Sequence, residues 1–292
     1  MAADLAGFER RRCVDGLQRT VTYYVRPAPE PAGAQLLFDV QGSGCHSVFV
    51  TDRNGRVRAR QQGVLARVAG DATVVAVEKP GVRFLADPGP TGSAVPCGAA
   101  FRREHTLERW VEAVGGVLRH ELTKRAYDRI GLVGHSEGGI VAAAVARRDH
   151  RVTDVAVLSS SGPSQLFDLL ASAPDRATRV ERLRSAIARD PGGLSLELGH
   201  PLRRWSSFLA TSCLDELIGS TARVLIVHGR NDEVVPIAAA RVLYAELLRH
   251  GRDVRLVERE AGHNLRLRAQ SQARALDDVF TTVVGWMRAA GS

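Results

Sequence analysis

Apolar, β-rich runs alternate with helix-patterned stretches along most of this chain, and that alternation limits its fold more than any other feature. The runs are "RTVTYYVRP" (19–27), "AQLLFDVQG" (34–42), "ATVVAVEKP" (72–80), "RIGLVGHS" (129–136), "VTDVAVLSSSG" (152–162), "ARVLIVHGRND" (222–232) and "DVRLVEREAGHN" (253–264). Several have continuous apolar centres, which suits strands buried on both faces. Between and after them lie helical patterns. "HTLERWVEAVGGVLRHEL" (105–122) spaces Leu107, Trp110, Val111, Val114 and Leu118 at helical intervals. A small-residue helix follows Ser136. "PIAAARVLYAELLRHG" (236–251) starts with Pro and stops at Gly, and "SQARALDDVFTTVVGWMRAA" (271–290) closes the chain. Strands alternating with helices imply an α/β fold, a mainly parallel sheet covered on both faces. Ligands of such sheets bind beyond the C-terminal strand ends, so residues with chemistry should stand just after strands.

Two segments break the alternation. Residues 80–104 form a Gly/Pro-rich loop, and loops this long are usually functional or disordered. Residues 163–219 are an Arg-rich, helical insertion of the right length for a small cap.

Three residues meet the strand-end test. Ser136 ends "RIGLVG" inside Gly134-x-Ser136-x-Gly138, with Gly139 extending the pattern. Glycines two residues either side let a serine occupy a tight strand-to-helix turn, above a helix N-terminus that favours developing negative charge. Asp232 ends "RVLIVHGRND", where a carboxylate can hold an imidazole's tautomer, with Glu233 as the fallback acid. The plainer role for Asp232 is a helix cap before Pro236. The preceding strand ends in "SSSG" and offers no acid. His263 ends the last strand in "EAGHN" and supplies the base.

The order Ser136, Asp232, His263, each just after a strand, resembles the α/β-hydrolase family. Its tokens are "GHSEGG", "HGRNDEVVP" and "EAGHN", and the resemblance runs through roughly residues 19–290. It implies one α/β-hydrolase domain over 1–292, with 163–219 as a helical cap within it. It implies a Ser136 nucleophile, an Asp232 acid and a His263 base, with no metal or organic cofactor. The family's oxyanion loop, often written His-Gly, here reads Gln41-Gly42-Ser43-Gly44-Cys45. The expected oxyanion donors are the N–H of Glu137 and one from Ser43 or Gly44. Cys45, His46, His135 and Trp205 are candidates to line the pocket. Trp205, Phe208 and Leu209 either form an acyl pocket or hold the insertion to the body.

The expected activity is a serine hydrolase of esters, thioesters or amides acting on a small-molecule acyl substrate. The alternatives are C–C bond hydrolysis, acyl transfer or perhydrolysis with the same residues, or a non-catalytic binding protein. A dehalogenase would need Asp in place of Ser136.

Charge and cysteine content bound the partners. The net charge is +8, but all except two of the 40 basic residues are arginine, the exceptions being Lys79 and Lys124. Such lopsidedness reads as a bias across the chain rather than a nucleic-acid surface. Only 5% of residues are aromatic, leaving few stacking platforms. Arg83, Arg102, Arg103, Arg203 and Arg204 would favour an acidic substrate if they lined the site; as surface arginines of an Arg-rich chain they need no such role. No apolar stretch reaches the roughly 18–20 residues a membrane span requires. "MAADLAGFERRRCVDG" has no apolar signal core, so the expected location is cytoplasmic, with neither nucleic acid nor membrane as partner. None of the four cysteines forms a C-x-x-C pair. Four free thiols are the expectation in a reducing compartment, with a Cys45–Cys97 bridge the alternative.

Overall fold

The computed structural model describes residues 5–29, 35–171, 176–209, 211–267 and 270–289. Small parts of the expected strand 34–42, insertion 163–219 and closing helix 271–290, and the ends of the 1–292 domain, lie outside the described residues. The chain begins with strands β1 (Glu9–Val14), β2 (Thr20–Arg26) and β3 (Gln35–Val40), then a short hairpin of β4 (Phe49–Thr51) and β5 (Val57–Ala59). Helix α1 (Gln61–Ala69), β6 (Thr73–Val77), α2 (Ala99–Glu104), α3 (Leu107–Lys124), β7 (Arg129–His135), α4 (Glu137–Arg148) and β8 (Asp154–Leu158) follow. The insertion holds α5 (Gln165–Ala171), α6 (Arg176–Arg189), the small β9 (Leu196–Glu197) and β10 (His200–Pro201) pair, α7 (Leu202–Leu209) and α8 (Cys213–Ile218). The chain ends with β11 (Arg223–Gly229), α9 (Ile237–Arg249), β12 (Val254–Arg259) and α10 (Gln272–Arg288).

Eight strands form one sheet in the order β1-β2-β6-β3-β7-β8-β11-β12. From β6 to β12 the neighbours are parallel, and β2 is antiparallel to both β6 and β1. Side chains alternate between two cores, as the strand period requires. Leu36, Phe38 and Val40 of β3, with Ile130 and Leu132 of β7, face the core that holds α3, α4, α8 and α9. Leu37 and Val133 face the opposite core under α1 and α10. Among the described residues, no helix is long and apolar enough to cross a membrane.

Strand β1, the β4–β5 hairpin and helix α1 escape the sequence reading, as do α2 within the expected 80–104 loop and the β9–β10 pair within the expected helical insertion. Strand β1, "ERRRCV", pairs only with β2 at the sheet edge, and its arginines hide the strand pattern. Helix α1 contains Gly63 and has no side-chain cap. From the insertion, Phe208, Cys213 and Leu217 are buried in the main core.

The sheet's two ends carry opposite arrangements of charge. At the N-terminal end, Asp154 is fully buried and accepts from Arg129 on β7 (2.8 and 2.9 Å) and from Arg223 on β11 (2.5 Å). This clips three central strands together. Toward the other end, Asp39 of β3 is 1% exposed. Gln61 donates to one of its oxygens at 2.7 Å, and the carboxyl borders a cavity of about 100 Å³ walled by Val133, Leu158, Val279 and Phe280. Burial pushes the Asp39 pKa up to about 7, against the opposing bond from Gln61.

Removing the clip in Asp154→Ala leaves two arginines facing each other without their carboxylate. The arginines keep about a quarter of their side chains in water, so the cost should be roughly 2–4 kcal/mol, read as a lower urea midpoint. Asp39 works in the opposite sense. Its folded pKa lies above the unfolded value, so the folded state holds a proton longer and stability falls as pH rises through the window from about 4 to about 7. Asp39→Asn keeps the Gln61 bond and removes that cost. Its melting temperature should exceed the parent's by a few degrees at about pH 8 and match it near pH 4.

Candidate active site

Ser136 joins β7 to α4 with φ 55° and ψ −126°, a conformation that side-chain-bearing residues rarely adopt. The neighbouring backbone leaves room for it only because two flanking residues lack a Cβ. A Cβ on Gly134 would lie 2.3 Å from Gly138 O, and one on Gly138 would lie 2.1 Å from Val40 O. The turn is tied from both sides: Ser136 N–H donates to Leu158 O at 2.8 Å, and Ser160 Oγ donates to Ser136 O at 2.5 Å.

The loops after β11 and β12 bring Asp232 and His263 to the same place. His263 Nε2 is 3.0 Å from Ser136 Oγ, and His263 Nδ1 is 2.9 Å from Asp232 Oδ2 and 3.1 Å from Oδ1. With Nδ1 donating to the carboxylate, Nε2 is the acceptor and can take the serine proton. Asp232 also accepts the N–H groups of Val234 and Val235, both at 2.9 Å. Burial raises its pKa, but the bond and charge of His263 and these two N–H groups outweigh burial and hold it below the usual carboxylate range. His228 donates from Nε2 to Val235 O at 2.9 Å and stands 3.4 Å from Asp232 Oδ2, bracing the same turn. His135 donates to His263 O at 3.0 Å, and burial lowers its pKa to about 4, so its ring is neutral.

Glu137, the first residue of α4, is buried with its carboxylate bound on both oxygens. Arg204 of α7 donates to Oε2 at 2.7 and 2.9 Å, and His105 donates to Oε1 at 2.8 Å. Burial opposes ionisation here, but the His105 ring and the Arg204 guanidinium overcome it and hold the carboxyl well below its ordinary range. The guanidinium lies over Trp205 and Phe208, 4.3 and 4.6 Å from the ring centroids. The insertion is thereby tied to the residue next to Ser136. Among the described residues, nothing accepts from the N–H of Glu137, Ser43 or Gly44.

A cavity of about 450 Å³ opens over Ser136 and His263, lined also by Gln41, Ser43, His46, Lys79 and His135. His46 and His135 are thus on its wall. Cys45 and Trp205 do not line it. Cys45 turns away into a disulfide with Cys97, which joins the 42–45 loop to the 80–104 loop. That pairing corrects the expectation of four free thiols; Cys13 and Cys213 are free and buried. Trp205 packs on Leu183 and Leu202 inside the insertion and donates to Glu197 O at 2.6 Å. Phe208 belongs to the main core, and Leu209 packs against the Trp205 cluster. Neither lines the cavity, nor do Arg83, Arg102, Arg103, Arg203 or Arg204; the cations on its wall are Arg60 and Lys79. In the sequence Lys79 stands out only as one of two lysines. That rarity was itself a signal, since a surface cation in this chain is almost always arginine.

The fold is shared with solved structures of low sequence identity. A puromycin-hydrolysing peptidase of Mycobacterium tuberculosis superposes with a TM-score of 0.65 at 16% identity, over 96% of this chain and 39% of the peptidase. A Pyrococcus horikoshii acylaminoacyl peptidase gives 0.66 at 12%, over 97% and 41%. Est1E of Butyrivibrio proteoclasticus gives 0.59 at 17%, over 97% and 99%. This chain thus spans about two fifths of the length of each peptidase and nearly all of Est1E. Among curated proteins, none is similar to the chain in sequence. The match that settles its kinship covers residues 42–278, a span that includes Ser136, Asp232 and His263: the chain belongs to the alpha/beta hydrolase family.

Proposed function

We propose that the protein is a serine hydrolase that cleaves an ester, thioester or amide bond through an acyl-enzyme on Ser136. The observation that carries this reading is the hydrogen-bonded chain from Asp232 through His263 to Ser136 Oγ, at 2.9 and 3.0 Å, opening on the large cavity. His263 Nε2 takes the Oγ proton as Oγ attacks the acyl carbon. Asp232 keeps the imidazole in the required tautomer and stabilises the imidazolium. The oxyanion accepts from the N–H of Glu137 and from one on the facing loop, Ser43 or Gly44. In comparable sites each such donor is worth roughly 2.7–4 kcal/mol. Collapse breaks the bond to the leaving group, which departs with the proton held by His263. Water then gives a proton to His263 and attacks the acyl carbon; as the bond to Oγ breaks, His263 returns that proton to Ser136 and the acid is released.

The neighbours in fold are peptidases and an esterase, which is consistent with a bond from these classes. The substrate is a small acyl compound that fits the cavity over Ser136. The Cys45–Cys97 bridge is of a kind that persists in oxidising compartments, which weighs against the cytoplasmic expectation.

A fluorophosphonate probe should label the parent protein and leave Ser136→Ala unlabelled. Turnover of p-nitrophenyl esters or aminoacyl p-nitroanilides should fall by at least about 10⁴-fold in Ser136→Ala. Asp232→Asn should lower kcat by about 10³–10⁴-fold, because the amide favours the wrong imidazole tautomer. Equal labelling of the parent and Ser136→Ala would remove the basis for this function, and a folded parent that does not label would point to a binding protein.

A further inference from the structure

Lys79 stands two residues beyond the end of β6 and is 3% exposed. Among the described residues, its ammonium forms no ion pair within contact distance; both of its hydrogen-bond acceptors are backbone carbonyls. A buried cation without a contacting counter-ion is expensive, and its presence in a cleft calls for a functional reason. The two carbonyls belong to one short loop, Gly42 O at 2.7 Å and Gly44 O in still closer contact. That loop lies against the elbow: a Cβ on Gly42 would come within 3.1 Å of the Ser136 Cβ.

The geometry of the peptide unit turns these bonds into a statement about donors. Every peptide bond of the described residues is trans, and in a trans peptide the C=O and N–H point opposite ways. Holding Gly42 O therefore aims the Ser43 N–H away from Lys79, and holding Gly44 O does the same for the Cys45 N–H. The Gly44 N–H belongs to the intervening peptide, whose carbonyl Lys79 does not touch. Resting on the acyl-enzyme reading above, we propose that Lys79 is the positioning residue of the oxyanion hole, holding the Gly42–Ser43 peptide so that Ser43, rather than Gly44, supplies the second donor.

An ammonium bonded to the carbonyl also polarises that amide and strengthens its N–H as a donor. The Cys45–Cys97 bridge anchors the far end of the loop, and the Phe101 ring lies 5.8 Å from Nζ. Two carbonyls converging on one point suit a compact ammonium with rotatable donors better than a planar guanidinium. This explains a lysine at this site in a chain whose basic residues are almost all arginine.

The positioning depends on charge. Burial pulls the Lys79 pKa down to about 8, with Glu137 and Glu78 supporting the ammonium and Arg60 opposing it. His46, His105 and His200 also face it, and burial lowers the pKa of each, so they are neutral in this range. As pH rises through about 8, Lys79 loses the charge that strengthens its bonds to both carbonyls, and turnover should decline.

The experiment compares the parent, Lys79→Met and Lys79→Arg from about pH 6 to about pH 10. It measures kcat and KM on p-nitrophenyl butyrate, the rate constant of fluorophosphonate labelling, and the melting temperature. Lys79→Met should lose about 10²–10³-fold in kcat with KM within about threefold, and its labelling should slow in parallel. The parent's kcat should fall above about pH 8, and in Lys79→Arg that limb should move to higher pH. A folded Lys79→Met with parental kcat, or with a raised KM alone, overturns the proposal. Should Lys79→Met fail to fold, a parent with no alkaline decline, or a decline unmoved in Lys79→Arg, overturns it as well. A parent that neither labels nor turns over ester defeats the acyl-enzyme reading itself, and this proposal with it; that result is distinct from an active parent whose lysine variants match it.

Discussion

The positive φ of Ser136 is the constraint around which the rest of the site is arranged. Holding a residue with a side chain in such a conformation costs about 1–3 kcal/mol, and it persists only where the surroundings over-determine it. Here they do so from several directions. Gly134 and Gly138 leave no atoms where β7, β3 and α4 converge, and bonds from Ser136 N–H to Leu158 and from Ser160 to Ser136 O fix the peptides on either side. The result lifts Oγ above the sheet at a helix N-terminus, within reach of a ring delivered by a different strand.

Buried charge is distributed to serve that arrangement. At the far end of the sheet, Asp154 and two arginines hold β7, β8 and β11 in register, and two of these strands lead to Ser136 and Asp232. On one flank of the elbow, the Glu137 carboxylate is fixed by Arg204 and His105, which couples the inserted helices to the peptide beside Ser136. On the other flank, the Lys79 ammonium meets the carbonyls of the facing loop. Segments 42–44 and 136–137, which face each other beside Ser136, are thus each tied by a buried charged side chain.

Much of this was legible in the sequence. The parallel sheet followed from continuous apolar runs alternating with helical spacing, and Ser136, Asp232 and His263 were readable because each stands just past a strand in a recognisable order. What was hidden depends on contacts between distant segments. Strand β1 is an edge strand whose exposed arginines erase its alternation, and α1 is broken in pattern by Gly63. Trp205 carries an apolar ring that satisfies the insertion's own core, while its neighbour Arg204 turns inward to the elbow, a choice that helical spacing alone does not dictate. The Cys45–Cys97 pairing spans 52 residues, and the position of Lys79 takes meaning only when two carbonyls of another loop surround it.

The most direct test is a crystal structure of the protein after reaction with a phosphonate, whose tetrahedral phosphorus mimics the intermediate. The account predicts a covalent bond from Ser136 Oγ to phosphorus and one phosphonyl oxygen about 2.7–3.1 Å from the N–H groups of both Glu137 and Ser43. An adduct on another residue, or an oxygen turned toward solvent with those two N–H groups left empty, would contradict it.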